Sequence, residues 1–159
     1  MTGMHSEPEL MLRSIGSGDG DLLFSWLNRL DSLSGKLNTA GPVPRDEHDH
    51  WFAERLADPG TYIWIGELHG VPMGQIRLQR DASGAWLVDI FLLPEARGRG
   101  LARTMLTQAL ERLLHHYPSA RVVAIVRSDN GASHRLFKHM GFHLDAKAPD
   151  HSRYVYNRG

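Results

Sequence analysis

Residues 94–102 read Pro-Glu-Ala-Arg-Gly-Arg-Gly-Leu-Ala, between a strand-like run at Ala85–Leu93 (AWLVDIFLL) and a stretch where Leu101, Met105, Ala109 and Leu113 step by four along a helix. Gly98 and Gly100 let the backbone turn with its amides facing inward. The first helical turn adds unpaired N–H groups and the positive end of the macrodipole. A helix start of this kind suits a phosphate or pyrophosphate. Arg97, Arg99 and Arg103 surround it with guanidinium forks that match phosphate oxygens. A solvated basic turn would have the same composition, so the motif takes its meaning from context. The Walker pattern GxxxxGK[ST] is absent, and Gly98-Arg99-Gly100 lacks the third glycine of GxGxxG, which sets aside nucleotide hydrolysis and dinucleotide redox chemistry.

Upstream, Leu10–Ile15 (LMLRSI) reads as a strand broken by Gly16, Gly18 and Gly20. Leu23, Trp26, Leu27 and Leu30 recur at i, i+3, i+4 and i+7 and predict a helix capped by Asp19 or Asp21. Residues 31–45, rich in Ser, Gly, Asn and Pro, predict a loop long enough to be functional. A second helix is expected at about Asp46–Leu56, ended by Asp58-Pro59-Gly60. Tyr62–Leu68 and Met73–Leu78 predict a hairpin turning at His69-Gly70. Downstream, Arg121–Val126 is a buried-type strand. A helix from Asn130 carries Ser133, Leu136, Phe137 and Met140 and stops at Gly141. The last expected strand is Tyr154-Val155-Tyr156, with both tyrosines on one face.

With 159 residues, 42% hydrophobic and 23% charged, the composition is that of one globular domain, expected over 10–159 after a tail at 1–9. Eighteen basic and eighteen acidic residues leave no global field, so neither nucleic acid nor membrane is an expected partner. Absence of cysteine removes thiol chemistry and fits a reducing compartment. MTGMHSEPEL shows no signal-peptide pattern, and a cytoplasmic location is the expectation. Ten histidines include His48-x-His50 and His115-His116, but neither pair has a ligand set, and no metal is expected.

Arg97-Gly98-Arg99-Gly100-Leu101-Ala102, with Pro94 just before it, resembles the [Q/R]-x-x-G-x-[G/A] signature of the GCN5-related N-acetyltransferase (GNAT) superfamily. A second landmark, Asn-x-x-Ala-x-x-Leu-Tyr-x-x-x-Gly-Phe, is matched in spacing from Asn130 to Phe142, with Ser133 and Phe137 as substitutions. The resemblance implies an α/β (α+β-type) fold: a mixed, mostly antiparallel twisted sheet flanked by helices, with a splayed central strand pair. It also implies acetyl-CoA as cosubstrate. Backbone groups of Ile90, Phe91 and Leu92 would hold the pantetheine arm, amides of residues 98–103 the pyrophosphate, and Asn130 the arm's far side. Ser133 and Phe137 complete the expected cofactor-binding set.

The implied reaction is direct attack of a primary amine on the thioester in a ternary complex, aided by an oxyanion-type donor near Leu92. The amine must be uncharged to attack, and the leaving thiolate needs a proton. Asp89, the only acid in its strand, is the candidate base or relay; the bland alternatives are a solvent-facing charge or an ion pair. The family's tyrosine acid is replaced by Phe137, which fits the apolar stripe of its helix. Tyr154, Tyr156 or His139 are candidate substitutes, or solvent supplies the proton. Ile125 stands where ribosomal-protein acetylating members carry glutamate. Leu22–Asn28 (LLFSWLN) and Glu47-His48-x-x-Trp51-Phe52 look like amino-sugar N-acetyltransferases of pseudaminic acid biosynthesis. Trp26, Glu47, His48 and Trp51 are then the acceptor-site candidates, with Trp51 as a stacking platform for a nucleotide-linked amino sugar. A polycation would call for a dense acidic wall, and Arg45 and the histidines oppose the small one made by Glu47 and Asp49. Protein, peptide or aminoglycoside amines are alternative acceptors, a non-catalytic CoA sensor is a third reading, and a homodimer stays open.

Overall fold

Leu10 and Leu12 are buried while Met11 between them is exposed, the period of a half-buried edge strand. In the computed structural model, residues 10–29 and 42–157 are described, so most of the expected loop at 31–45 lies outside the described residues. The elements run β1 (Leu10–Ser14), α1 (Gly20–Leu27), α2 (Arg45–Ala57), β2 (Thr61–Leu68), β3 (Val71–Arg80), β4 (Trp86–Leu92), α3 (Leu101–His116), β5 (Arg121–Arg127), α4 (Gly131–His139), β6 (His143–Lys147) and β7 (His151–Asn157). The hairpin turns where expected: His69 and Gly70 both take positive φ, 54° and 79°, the mirror-image turn that matches strand twist. Asp19 precedes α1 without capping it. Its carboxylate instead accepts from the Gly16 amide at 2.7 Å and pairs with Arg13 at 2.9 Å, which holds it below the usual carboxylate range.

The seven strands form one sheet in the order β1-β2-β3-β4-β5-β7-β6, and every pairing is antiparallel except β4 with β5. This is the mixed, mostly antiparallel sheet flanked by helices that the resemblance implied. The parallel pair is joined through α3 and meets only at Trp86↔Val122 and Leu87↔Val123; beyond Leu87 the strands part. On its other side β4 lies close against β3, where a Cβ at Gly74 would collide with the carbonyl oxygen of Phe91. Glycine is therefore required there for the approach.

Alternation along β4 divides the interior. Trp86, Val88, Ile90 and Leu92 belong to the core under α3, with Met105, Leu106, Ala109, Val122 and Ala124. Phe91 faces the opposite way, onto a smaller core of Leu23, Trp26, Phe52, Ile63 and Ile65 beneath α1 and α2. Asp89, two residues from Phe91, is on that second face. One strand was missed from the sequence: β6, whose five residues are all exposed. His-Leu-Asp-Ala-Lys has no buried face and so no apolar alternation to read; pairing with β7 makes it a strand. Among the described residues no helix is long and apolar enough to cross a membrane.

Candidate active site

Where β4 and β5 part, they open a groove of about 990 Å³ that continues to the start of α3 and along α4. Its walls include Ile90, Phe91 and Leu92 from β4, Gly98 to Arg103 except Arg99, and Asn130, Ser133 and Phe137 from the second landmark. Sequence residues expected around one cofactor thus converge on one groove, although they come from three separate segments. Gly98 and Gly100 have φ of 76° and 77°, and Gly100 is the N-cap of α3. A side chain at either would meet open space and would be strained only by the left-handed backbone. Arg97, Arg103, Arg127 and Arg135 line the groove against the carboxylates of Asp89 and Asp129. Arg127 already pairs with Asp129 at 3.0 Å and holds that carboxyl below its ordinary range.

This arrangement fits acetyl-CoA. A gap between two strand edges suits an extended arm, and a positive helix start flanked by arginines suits its phosphates. Two expected ligands have further duties. Arg97 donates from Nε to the carbonyl of Leu92 at 3.0 Å, tying the glycine turn to the end of β4. Asn130 caps α4, its side-chain oxygen accepting from the Ser133 amide at 3.1 Å. Phe137 is buried, with its ring 5.0 Å from that of Phe142, so the position of the family's acid is a packed aromatic on the groove wall.

Tyr154 and Tyr156 are not among the residues lining this groove. Tyr154 is 2% exposed, and its hydroxyl lies 2.6 Å from Nδ1 of His134. Tyr156 packs on Phe142. Both tyrosines do lie on one face, as expected, but it is the α3–α4 face. His139 lines the groove.

On the opposite face Asp89 and Arg77 are register partners across β3 and β4, with a guanidinium nitrogen 3.8 Å from a carboxylate oxygen. The same guanidinium stands over the ring of Trp51, 5.3 Å from its centroid. Trp51 therefore lies on this face beside Asp89's partner, but Arg77 occupies a face of its ring that was expected to stack on a sugar. His48 is 2% exposed and packed among the rings of Phe24, Trp51 and Phe52. Burial lowers its pKa, and its Nδ1 has no partner. It is a core residue joining α1 to α2, because its position on the helix turns it inward beside Phe52, and its burial closes it to the acceptor-site role expected of it. Trp26 is likewise buried, 5.5 Å from Phe91. Glu47 is exposed. Arg77 and His134 escaped the sequence reading: Arg77 falls in no motif, His134 fills an unspecified position of the second landmark, and only strand register or helix docking reveals their partners.

Residues 23–142, about three quarters of the chain, match the model of the acetyltransferase (GNAT) family. The chain belongs to this family and is an acetyltransferase that uses acetyl-CoA as cosubstrate. Among solved structures it resembles spermidine N-acetyltransferase from Vibrio cholerae in complex with CoA and spermine, at 19% identity over 93% of this chain and 95% of that one, TM-score 0.82. It also resembles a domain from Methanocaldococcus jannaschii, at 18% identity over 96% and 100%, TM-score 0.83. A GNAT-family acetyltransferase from Streptococcus pneumoniae is similar at 18% identity over 94% and 100%, TM-score 0.77. These likenesses concern the fold. No curated protein matches the chain.

Proposed function

We propose that the acceptor is a primary amine of a linear polyamine. The carrying observation is the charge on α1 and α2. Arg45, which the sequence set against a polycation, is engaged by both Asp21 and Asp49, and His48 is buried with its pKa lowered. Arg55 pairs with Asp58. Among the described residues of α1 and α2, the exposed carboxylates of Asp21, Asp46, Glu47, Asp49 and Glu54 outnumber the one exposed guanidinium, that of Arg45, which Asp21 and Asp49 hold. Such a surface attracts a polycation. The fold likeness to an enzyme described as a spermidine N-acetyltransferase agrees with this reading.

When bound, acetyl-CoA supplies an activated acyl group, and its transfer makes the N–C bond, breaks the C–S bond, releases a proton from the amine and returns one to the thiolate. The chain's part is to orient and to handle that proton. The start of α3 and its arginines hold the phosphates, β4 and α4 wall the arm, and the carboxylate of Asp89 receives the amine's proton directly or through water.

A nucleotide-linked amino sugar is the second reading. Arg77, a cation on the acceptor face, favours it because guanidinium pairs with phosphate. The deciding experiment measures acetyl transfer to spermidine and spermine beside UDP-linked 4-amino sugars, kanamycin-type amines and N-terminal peptides. The polyamine reading expects kcat/KM highest for spermidine or spermine, and a several-fold rise in their KM in Glu47→Gln with Asp46→Asn. Turnover of amino sugars alone would overturn it.

A further inference from the structure

Trp51, Arg77 and Asp89 come from α2, β3 and β4 and stand in one line on the acceptor face of the sheet. The guanidinium is 5.3 Å from the ring centroid and 3.8 Å from the carboxylate. Arg77 is three-quarters buried, and so is Asp89, at 27% side-chain exposure each, so water screens the pair only in part. Asp89 also lines the groove, whereas Arg77 is not among its lining residues and acts through its neighbour.

A carboxylate at this place poses a chemical problem. It must accept the proton of the attacking amine, yet a bare negative charge favours the ammonium form, which has no lone pair to attack with. We propose that Arg77 is a positioning residue that offsets the field of Asp89, so that the reacting nitrogen of a polyamine loses its proton while the carboxylates of α2 hold the distal charges. Trp51 fixes the guanidinium over its ring, so the offset is built in before the acceptor arrives. The inference rests on the reading that an amine meets the acyl group beside Asp89.

Among the described residues Arg97, Arg103 and Arg135 also line the groove that Asp89 lines, from its α3 and α4 ends, whereas Arg77 meets Asp89 across the strand register. Glu47 and Glu54 lie one turn either side of Trp51 on α2 and are exposed. His48, also one turn away, is buried and neutral-favoured, and Arg55 is paired with Asp58. From the end of β5, Arg127 and Asp129 neutralise each other. Gln75 and Gln79, two residues either side of Arg77 on β3, carry no charge.

The test compares wild type with Arg77→Gln and Arg77→Lys, using the best amine acceptor and following kcat against pH, KM, affinity for CoA and thermal midpoint. In Arg77→Gln the acidic limb of kcat should move up by about one pH unit, roughly a tenfold loss of kcat on that limb. KM for the amine should stay level or fall, because Asp89 relieved of the Arg77 charge binds ammonium better. Arg77→Lys should keep the wild-type profile, and CoA affinity should not change in either. An unmoved profile in Arg77→Gln would overturn the proposal. So would a Lys variant that behaves like the Gln variant, which would trace the effect to packing on Trp51 instead of charge. If Arg77→Gln fails to fold, Arg77→Met is read the same way: the acidic limb should rise, and an unchanged limb overturns the inference. If the best acceptor is not a polyamine, the acceptor reading falls, while this test stands with whatever amine is used.

Discussion

Nδ1 of His134 lies 2.6 Å from the phenolic oxygen of Tyr154, and Nε2 of the same ring lies 2.9 Å from the carbonyl of Arg127. A carbonyl only accepts, so Nε2 carries the hydrogen, and in that tautomer Nδ1 accepts from the Tyr154 hydroxyl. One side chain on α4 thus reaches both β5 and β7. The end of α4 that it anchors carries Asn130 and Ser133 on the groove wall.

His134→Phe should strand the Tyr154 hydroxyl and the Arg127 carbonyl. The expected cost is about 1–3 kcal/mol in denaturant unfolding. CoA should also bind more weakly, because the groove wall loses its anchor. Tyr154→Phe removes only the donor and should cost about 1 kcal/mol. If Tyr154 is also the proton donor proposed from the sequence, its Phe variant should lower kcat more than CoA affinity. Equal stability of His134→Phe and wild type would show that the three-element link is not worth what its geometry indicates.

His48 gives a pH dependence with a definite sign. Burial holds its folded pKa below the unfolded 6.5, so the unfolded chain binds more protons in the window between the two. Stability is therefore full above pH 6.5 and falls as pH drops towards the folded value, at up to about 1.4 kcal/mol per pH unit. His48→Phe, surrounded by Phe24 and Phe52, should flatten that slope in unfolding curves taken from pH 7 to 5. A slope unchanged in the variant would assign it to other groups.

Gly100→Ala and Gly100→Glu separate strain from charge at the start of α3. With φ at 77°, any side chain costs roughly 1–2 kcal/mol of stability. Only the glutamate places a negative charge where phosphates are expected. CoA titration should show at least about a tenfold weaker Kd for Gly100→Glu than for Gly100→Ala, a difference of about 1.4 kcal/mol. Equal affinities would remove this turn from the cofactor site.

Phe137→Tyr restores the hydroxyl that the family carries. The native ring is packed on Phe142 and the reaction proceeds without an acid there, so turnover should stay within about threefold of wild type, under about 1 kcal/mol of barrier. A large gain in kcat would show instead that proton delivery limits the native enzyme.

The landmarks legible in the sequence are those whose chemistry is local. A left-handed backbone before a helix requires glycine, so Gly98 and Gly100 show themselves in the chain, as does Asn130, which caps the helix it begins. Helical and strand periods located α3, α4 and the β2–β3–β4 meander to within a few residues, because each element buries one face. β6 buries none and left no trace.

Tertiary structure decided what depends on partners far apart in sequence. His48 looked like a polar residue at the acceptor, but three aromatic rings bury it; Trp51 looked open, but a β3 residue 26 positions later covers it. Arg45 looked opposed to a cation until Asp21 engaged it from the other helix. The sequence by itself determined the half expected to hold the cofactor, which is built from backbone geometry and one helix start. Only the fold decided the half proposed for the acceptor, because its charge and shape arise from side chains that cancel or cover one another across elements, and no short-range pattern encodes those encounters.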